Sequence, residues 1–101
     1  MLVNFPQNPE RLNDFELQHV PAVWLMGPET VRVLVGEKQH SMDPEHYIEW
    51  VELYDGKERL ARVELTPERR PEIIIDTGGR VGYFTARAYC SQHGLWQSGW
   101  A

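Results

Sequence analysis

The chain carries four histidines and one cysteine, and their placement suggests metal chemistry. His19 stands just before an extended run, in Leu17-Gln18-His19-Val20-Pro21. His40 and His46 bracket the segment His40-Ser41-Met42-Asp43-Pro44-Glu45-His46. Cys90 and His93 close the tight segment Cys90-Ser91-Gln92-His93-Gly94. A two-residue spacer lets a thiolate and an imidazole reach one ion from a single turn. Each residue also has a plainer reading. A single histidine is commonly solvated or hydrogen-bonded, and a single cysteine commonly packs as a small buried hydrophobe. What favours metal is completeness: every histidine and the sole cysteine fall at strand ends or in loops, where a rigid sheet can aim them at one point.

Five donors exceed the tetrahedral set of a structural zinc site. Four imidazoles and one thiolate suggest a square-pyramidal centre with a sixth position open. Imidazole suits iron, copper and zinc, while a thiolate raises electron density at the metal. An open position opposite a thiolate suits redox chemistry on a small oxygen species.

Such donors need a frame. Turn signals recur at Met26–Glu29, Gly36–Glu45, Asp55-Gly56, Thr66–Pro71 and Asp76–Arg80. Between them lie Val-, Ile-, Tyr- and Trp-rich runs at Val20–Leu25, Thr30–Val35, His46–Tyr54, Arg59–Leu65, Glu72–Ile75 and Val81–Tyr89. Val31, Val33 and Val35 alternate with Arg32, as a half-buried strand requires. Asp55-Gly56 has the chemistry of a hairpin turn. The first eighteen residues, polar and broken by Pro6 and Pro9, read as an irregular lead-in. No twelve-residue stretch free of Pro and Gly keeps a 3.6 period. Six or seven short strands at this spacing predict an all-β antiparallel sandwich or small barrel.

Residues 1–101 are read as one domain, since the 101-residue length suits one and is too short for two. A hydrophobic fraction of 42% with eleven aromatics can bury a real core, which argues against disorder. Apolar runs as short as Val33–Val35 and Ile73–Ile75 exclude a membrane-spanning helix. The net charge of −5 argues against general nucleic-acid or anionic-membrane binding. One cysteine allows no intrachain disulfide, and no apolar leader opens the sequence, so a cytoplasmic location is expected.

The segments His40-Ser-Met-Asp-Pro-Glu-His46-Tyr-Ile-Glu-Trp50, Tyr89-Cys-Ser-Gln-His-Gly-Leu-Trp96 and His19-Val-Pro21 together resemble the superoxide reductase family. This family, also called neelaredoxin, forms the iron domain of desulfoferrodoxin. The likeness runs from about Phe15 to Trp96. It implies an immunoglobulin-like sandwich of about seven strands. It also implies one iron (Fe2+/Fe3+) held by His19, His40, His46 and His93 with Cys90 on the axis. The implied reaction reduces superoxide to hydrogen peroxide, with a rubredoxin-like electron donor and a homo-oligomeric assembly. Some members carry a second iron on four cysteines; with one cysteine, a one-iron type is expected here.

The chain departs from the family where Glu-Lys usually precedes the histidine of the His-Val-Pro segment. Leu17 and Gln18 stand there instead. Glu16 lies one position upstream and can replace the missing carboxylate only if the segment is re-registered. Lys38, two residues before His40, is the candidate cation for steering superoxide, against its plainer reading as a solvated loop lysine. Ser41 and Ser91 replace the common Pro and Asn and bear on loop geometry. Met42 reads as packing under its loop, Trp50 and Trp96 as core walls or shields for the imidazoles, and Glu68-Arg69-Arg70 as a solvated turn. A reading from another class is a non-catalytic metal- or partner-binding module with the same ligands.

Overall fold

The computed structural model describes residues 2–8, 10–36 and 42–98. The elements in chain order are β1 (Val3–Asn4), α1 (Asp14–His19), β2 (Pro21–Leu25), β3 (Thr30–Val35), β4 (Ile48–Asp55), β5 (Glu58–Glu64), β6 (Glu72–Asp76), β7 (Phe84–Cys90) and β8 (Gly94–Gln97). They form a five-stranded sheet in the order β1-β8-β7-β4-β5 and a three-stranded sheet in the order β2-β3-β6. The all-β sandwich expected from the alternation is what the chain builds. Among the described residues there are eight strands rather than seven.

Alternation explains most of the core. Val31, Val33 and Val35 point inward from β3 and are essentially fully buried, while Arg32 faces outward against Trp24 and Glu72. They meet Ile48, Val51, Leu53, Phe84, Ala86, Ala88 and Cys90 from the larger sheet. Ile48 and Val51 are an odd number of residues apart, so strict period-2 alternation cannot bury both. A register irregularity between Ile48 and Trp50 resolves this by shifting the phase of β4. Trp50 and Glu52 then face outward. There Trp50 stacks on Tyr89, and Arg62 lies over Trp50 (4.3 Å to the ring centroid). Glu52, nearly buried, accepts hydrogen bonds from Tyr54 Oη and from Arg59 and Arg62.

Four local expectations are corrected. The segment expected to be an irregular lead-in contains β1 and α1. β1 pairs with β8 in parallel, an exception to the antiparallel rule elsewhere. Gly94–Gln97, not singled out as a strand, is β8. Finally, Asp55 pairs with Glu58, so the hairpin loop is Gly56-Lys57, one residue beyond Asp55-Gly56. Gly56 takes φ +56°, the left-handed value that glycine adopts without strain. Among the described residues, no helix is long and apolar enough to cross a membrane.

Candidate metal centre

One end of the sandwich gathers the ends of three local structures. The first is α1. Asn13 caps it: its side chain accepts from Glu16 N (2.8 Å), and Glu16 Oε1 accepts in return from Asn13 N (3.0 Å). Glu16 Oε2 also accepts from Gln7 N (2.9 Å), tying the preceding segment to the helix. These amides hold the Glu16 carboxyl below its ordinary pKa, the Asn13 amide most strongly. The helix stops after six residues because Pro21 disfavours helical geometry at Val20, which is extended (ψ 122°). His19 is therefore the last helical residue, at the lip of β2.

The second structure is the β7–β8 turn. Cys90 ends β7 with its side chain in the core, and Gly94, at φ +84°, makes the tight return to β8. Trp96 Nε1 donates to the His93 carbonyl (3.0 Å), which fixes the turn. The third is an isolated bridge in which Asp43 and His46 exchange two backbone hydrogen bonds of 3.0 Å. Ser91 and Gln92 join the second and third structures. Ser91 N donates to the Tyr47 carbonyl (3.0 Å), Ser91 Oγ accepts from Tyr47 N (3.1 Å), and Gln92 Nε2 donates to the Glu45 carbonyl (3.0 Å).

Together these place one donor atom each of His19, His46, Cys90 and His93 within 4.8 Å of one another. His19 Nδ1 donates to the Phe15 carbonyl (2.8 Å), which leaves Nε2 with its lone pair directed into the group. His19 Nε2 lies 3.1 Å from His93 Nδ1. Two nitrogens bound at right angles to one ion, each about 2.1 Å away, stand about 3.0 Å apart. Cys90 Sγ lies 3.7 Å from His93 Nδ1, also within the span of two donors on one ion. Burial pushes the His19 imidazole below its usual pKa. The His93 and His46 imidazoles push the same way, against the Phe15 carbonyl, so His19 is held neutral as a metal ligand must be. Imidazole and thiolate donors in this arrangement fit a single iron.

Four of the five residues singled out as metal donors are thus brought together; His40 lies outside the described residues, as does Lys38. Glu16 is committed to the helix cap and to Gln7, so it does not replace the carboxylate absent at Leu17. Met42 packs against the core, with Sδ accepting from Ile48 N (3.5 Å). Trp96 shields the imidazoles, its ring centroid 5.3 Å from that of His19, whereas Trp50 faces the opposite side of its sheet. Phe15 was not singled out, yet its ring lies 4.4 Å from His19 and 4.9 Å from His93. The signal was available in Asn13-Asp14-Phe15-Glu16, since Asn three residues before Glu is a helix-start pattern. A helix from Asp14 puts Phe15 and His19 on one face.

A β-sandwich with a cluster of three imidazoles and a cysteine sulfur at one end defines a class of candidate mononuclear metal proteins. Comparison with known proteins narrows it. The family model described as desulfoferrodoxin matches residues 11–99. The desulfoferrodoxin of Clostridium acetobutylicum is 38% identical over 81 residues, covering 80% of this chain and 61% of that protein. The superoxide reductase of Pyrococcus horikoshii is 34% identical over 80 residues, covering 67% of this chain and 70% of that one. The crystal structure of the superoxide reductase from Treponema pallidum superposes with a TM-score of 0.74 at 33% identity, over 83% of this chain and 68% of that chain. The chain belongs to the desulfoferrodoxin family. It spans about three-fifths of the length of the curated desulfoferrodoxins it matches.

Proposed function

We propose that this chain reduces superoxide to hydrogen peroxide at one iron held by His19, His40, His46, His93 and Cys90. The observation that carries this reading is the convergence of four donor atoms within 4.8 Å at the end of a sandwich. When bound, iron supplies the single electron that superoxide takes up, and two protons complete the peroxide. The chain's own residues set the conditions for that chemistry. The Phe15 carbonyl fixes the His19 tautomer, and burial keeps its imidazole neutral. Cys90, fully buried, contributes an anionic sulfur whose electron donation favours release of an electron. Ser91 and Gln92 keep His46 in register with Cys90 and His93. Lys38 draws the anionic substrate to the open face. A rubredoxin-like protein returns the electron, and the chain works as a homo-oligomer in the cytoplasm.

The alternative, a metal-binding module without efficient turnover, is favoured by one observation: the Glu16 carboxylate is already held by Asn13 and Gln7. Metal analysis with visible spectra and superoxide-decay kinetics separates the two. A coloured oxidised iron protein, bleached by superoxide with peroxide formed and no oxygen released, is expected. A colourless zinc protein inert to superoxide overturns the enzyme reading.

A further inference from the structure

Phe15 is a large aromatic residue, 44% exposed, on a short surface helix, and it lies outside the hydrophobic core. Left to the hydrophobic effect alone, such a ring would have little reason to be held in place. Its ring contacts are instead with the metal-site cluster. The centroid lies 4.4 Å from that of His19 at an interplanar angle of 34°, 4.9 Å from that of His93 at 81°, and 5.7 Å from that of Trp96 at 65°. The helical spacing of four residues produces the first contact, and the capping box that starts the helix fixes the register of both residues. The same residue's carbonyl accepts from His19 Nδ1 at 2.8 Å. Side chain and backbone of Phe15 therefore act together on one imidazole. Trp96 closes a neighbouring side of that ring at 5.3 Å.

We infer that Phe15 is a positioning residue of the metal site: its ring braces the His19 and His93 imidazoles, slowing their departure from the ion. The inference rests on the reading that His19, His46, Cys90 and His93 hold a metal, but not on which metal or which reaction. For His19 to swing off an ion it must break its bond to the Phe15 carbonyl and displace the ring beside it. Offset and edge-on aromatic contacts resist that motion in a way an aliphatic side chain of similar bulk does not. Groups that orient metal-binding imidazoles typically change metal affinity by about 10–100-fold when lost.

The test loads the purified protein with Co(II) and follows its ligand-to-metal absorption during release to excess EDTA. Phe15→Leu keeps apolar bulk and the backbone carbonyl but removes the ring; Phe15→Tyr keeps the ring. Release about 10-fold faster from Phe15→Leu, near wild-type release from Phe15→Tyr, and equal apo-protein melting temperatures are the expected results. Release from Phe15→Leu at the wild-type rate overturns the inference, and so do equally fast Leu and Tyr variants. A fall in the apo-protein melting temperature of Phe15→Leu makes Phe15 an ordinary packing residue and overturns it as well. Braced release from the Co(II)-loaded protein, with a separate iron-loaded preparation inert to superoxide, would defeat the proposed function while leaving this inference standing. Rapid superoxide reduction with unbraced release would do the reverse.

Discussion

The two ends of the sandwich are built from the same strands but do different things. β2 begins beside His19 and ends at Leu25; β7 begins at Phe84 and ends at Cys90. At the far end these strands border a groove of about 200 Å³, lined by residues that include Leu25, Val31, Val81 and Phe84. Its loops are held by backbone bonds such as Thr77 N to the Glu29 carbonyl (2.7 Å), and by Arg80 paired with Asp55 and Glu58. Hydroxyls and one guanidinium are the polar groups among its lining side chains. At the near end there are three imidazoles and a cysteine sulfur, and among the described residues α1, the β7–β8 turn and the Asp43–His46 bridge are each tied by specific hydrogen bonds. The difference teaches that a concavity does not locate chemistry. Convergent donors do, and they demand that their loops be fixed from several sides.

The strongest way to break this contrast is at the junction of sheet and site. Cys90→Ser removes the thiolate but leaves the imidazoles, so the protein should retain some metal, lose its oxidised-state colour and reduce superoxide more than about 100-fold more slowly. Stopped-flow or pulse-radiolysis kinetics on iron-loaded protein check this, and unchanged kinetics would remove Cys90 from the mechanism. Lys38→Ala should lower the superoxide rate constant several-fold and flatten its salt dependence, because one partly exposed charge is worth about 1 kcal/mol after screening. Equal rates and equal salt slopes would make Lys38 a bystander.

Glu16→Gln sharpens the comparison by loosening only the near end. The carboxyl is held below its ordinary pKa of 4.5 by the Asn13 and Gln7 amides. Because the folded pKa is depressed, its contribution to stability is present above that value and is lost as the pH falls through the folded one. The variant should melt a few degrees below wild type at neutral pH, with the gap narrowing in acid. A gap independent of pH would contradict the carboxylate's role. Gly82→Ala tests the far end. A Cβ there would stand 2.6 Å from Asp55 Cγ, so Asp55 must turn away and give up its bond to Tyr83 N (3.2 Å). A cost of about 1 kcal/mol in denaturant unfolding is expected, with metal content unchanged. Loss of metal would show that the two ends are coupled.

Much of this molecule was written in local pattern. The alternation of Val31, Val33 and Val35 fixes β3 because side chains in a strand face opposite sides in turn. Cys90 and His93, two residues apart across a turn that Gly94 permits, needed no distant information to be recognised as a pair. Asn13 and Glu16 likewise announced a helix start within four residues, although the prolines nearby made the segment read as irregular.

Other features are decided only by three-dimensional packing. Nothing within β4 says that its phase must slip between Ile48 and Trp50; the slip follows from burying Ile48, Val51 and Leu53 against β3 at once. β1 is two residues long and cannot exist without β8 to pair with. Whether Glu16 serves the iron or the helix could not be read from its position beside Leu17. The answer came from Gln7, nine residues away, whose amide points at the second carboxylate oxygen. Which residues are able to carry metal-binding chemistry was legible in local sequence, because donor type is a property of a side chain. Their meeting within 4.8 Å depends on contacts between segments as far apart as His19 and His93, and distances of that kind are set by the packing of the two sheets.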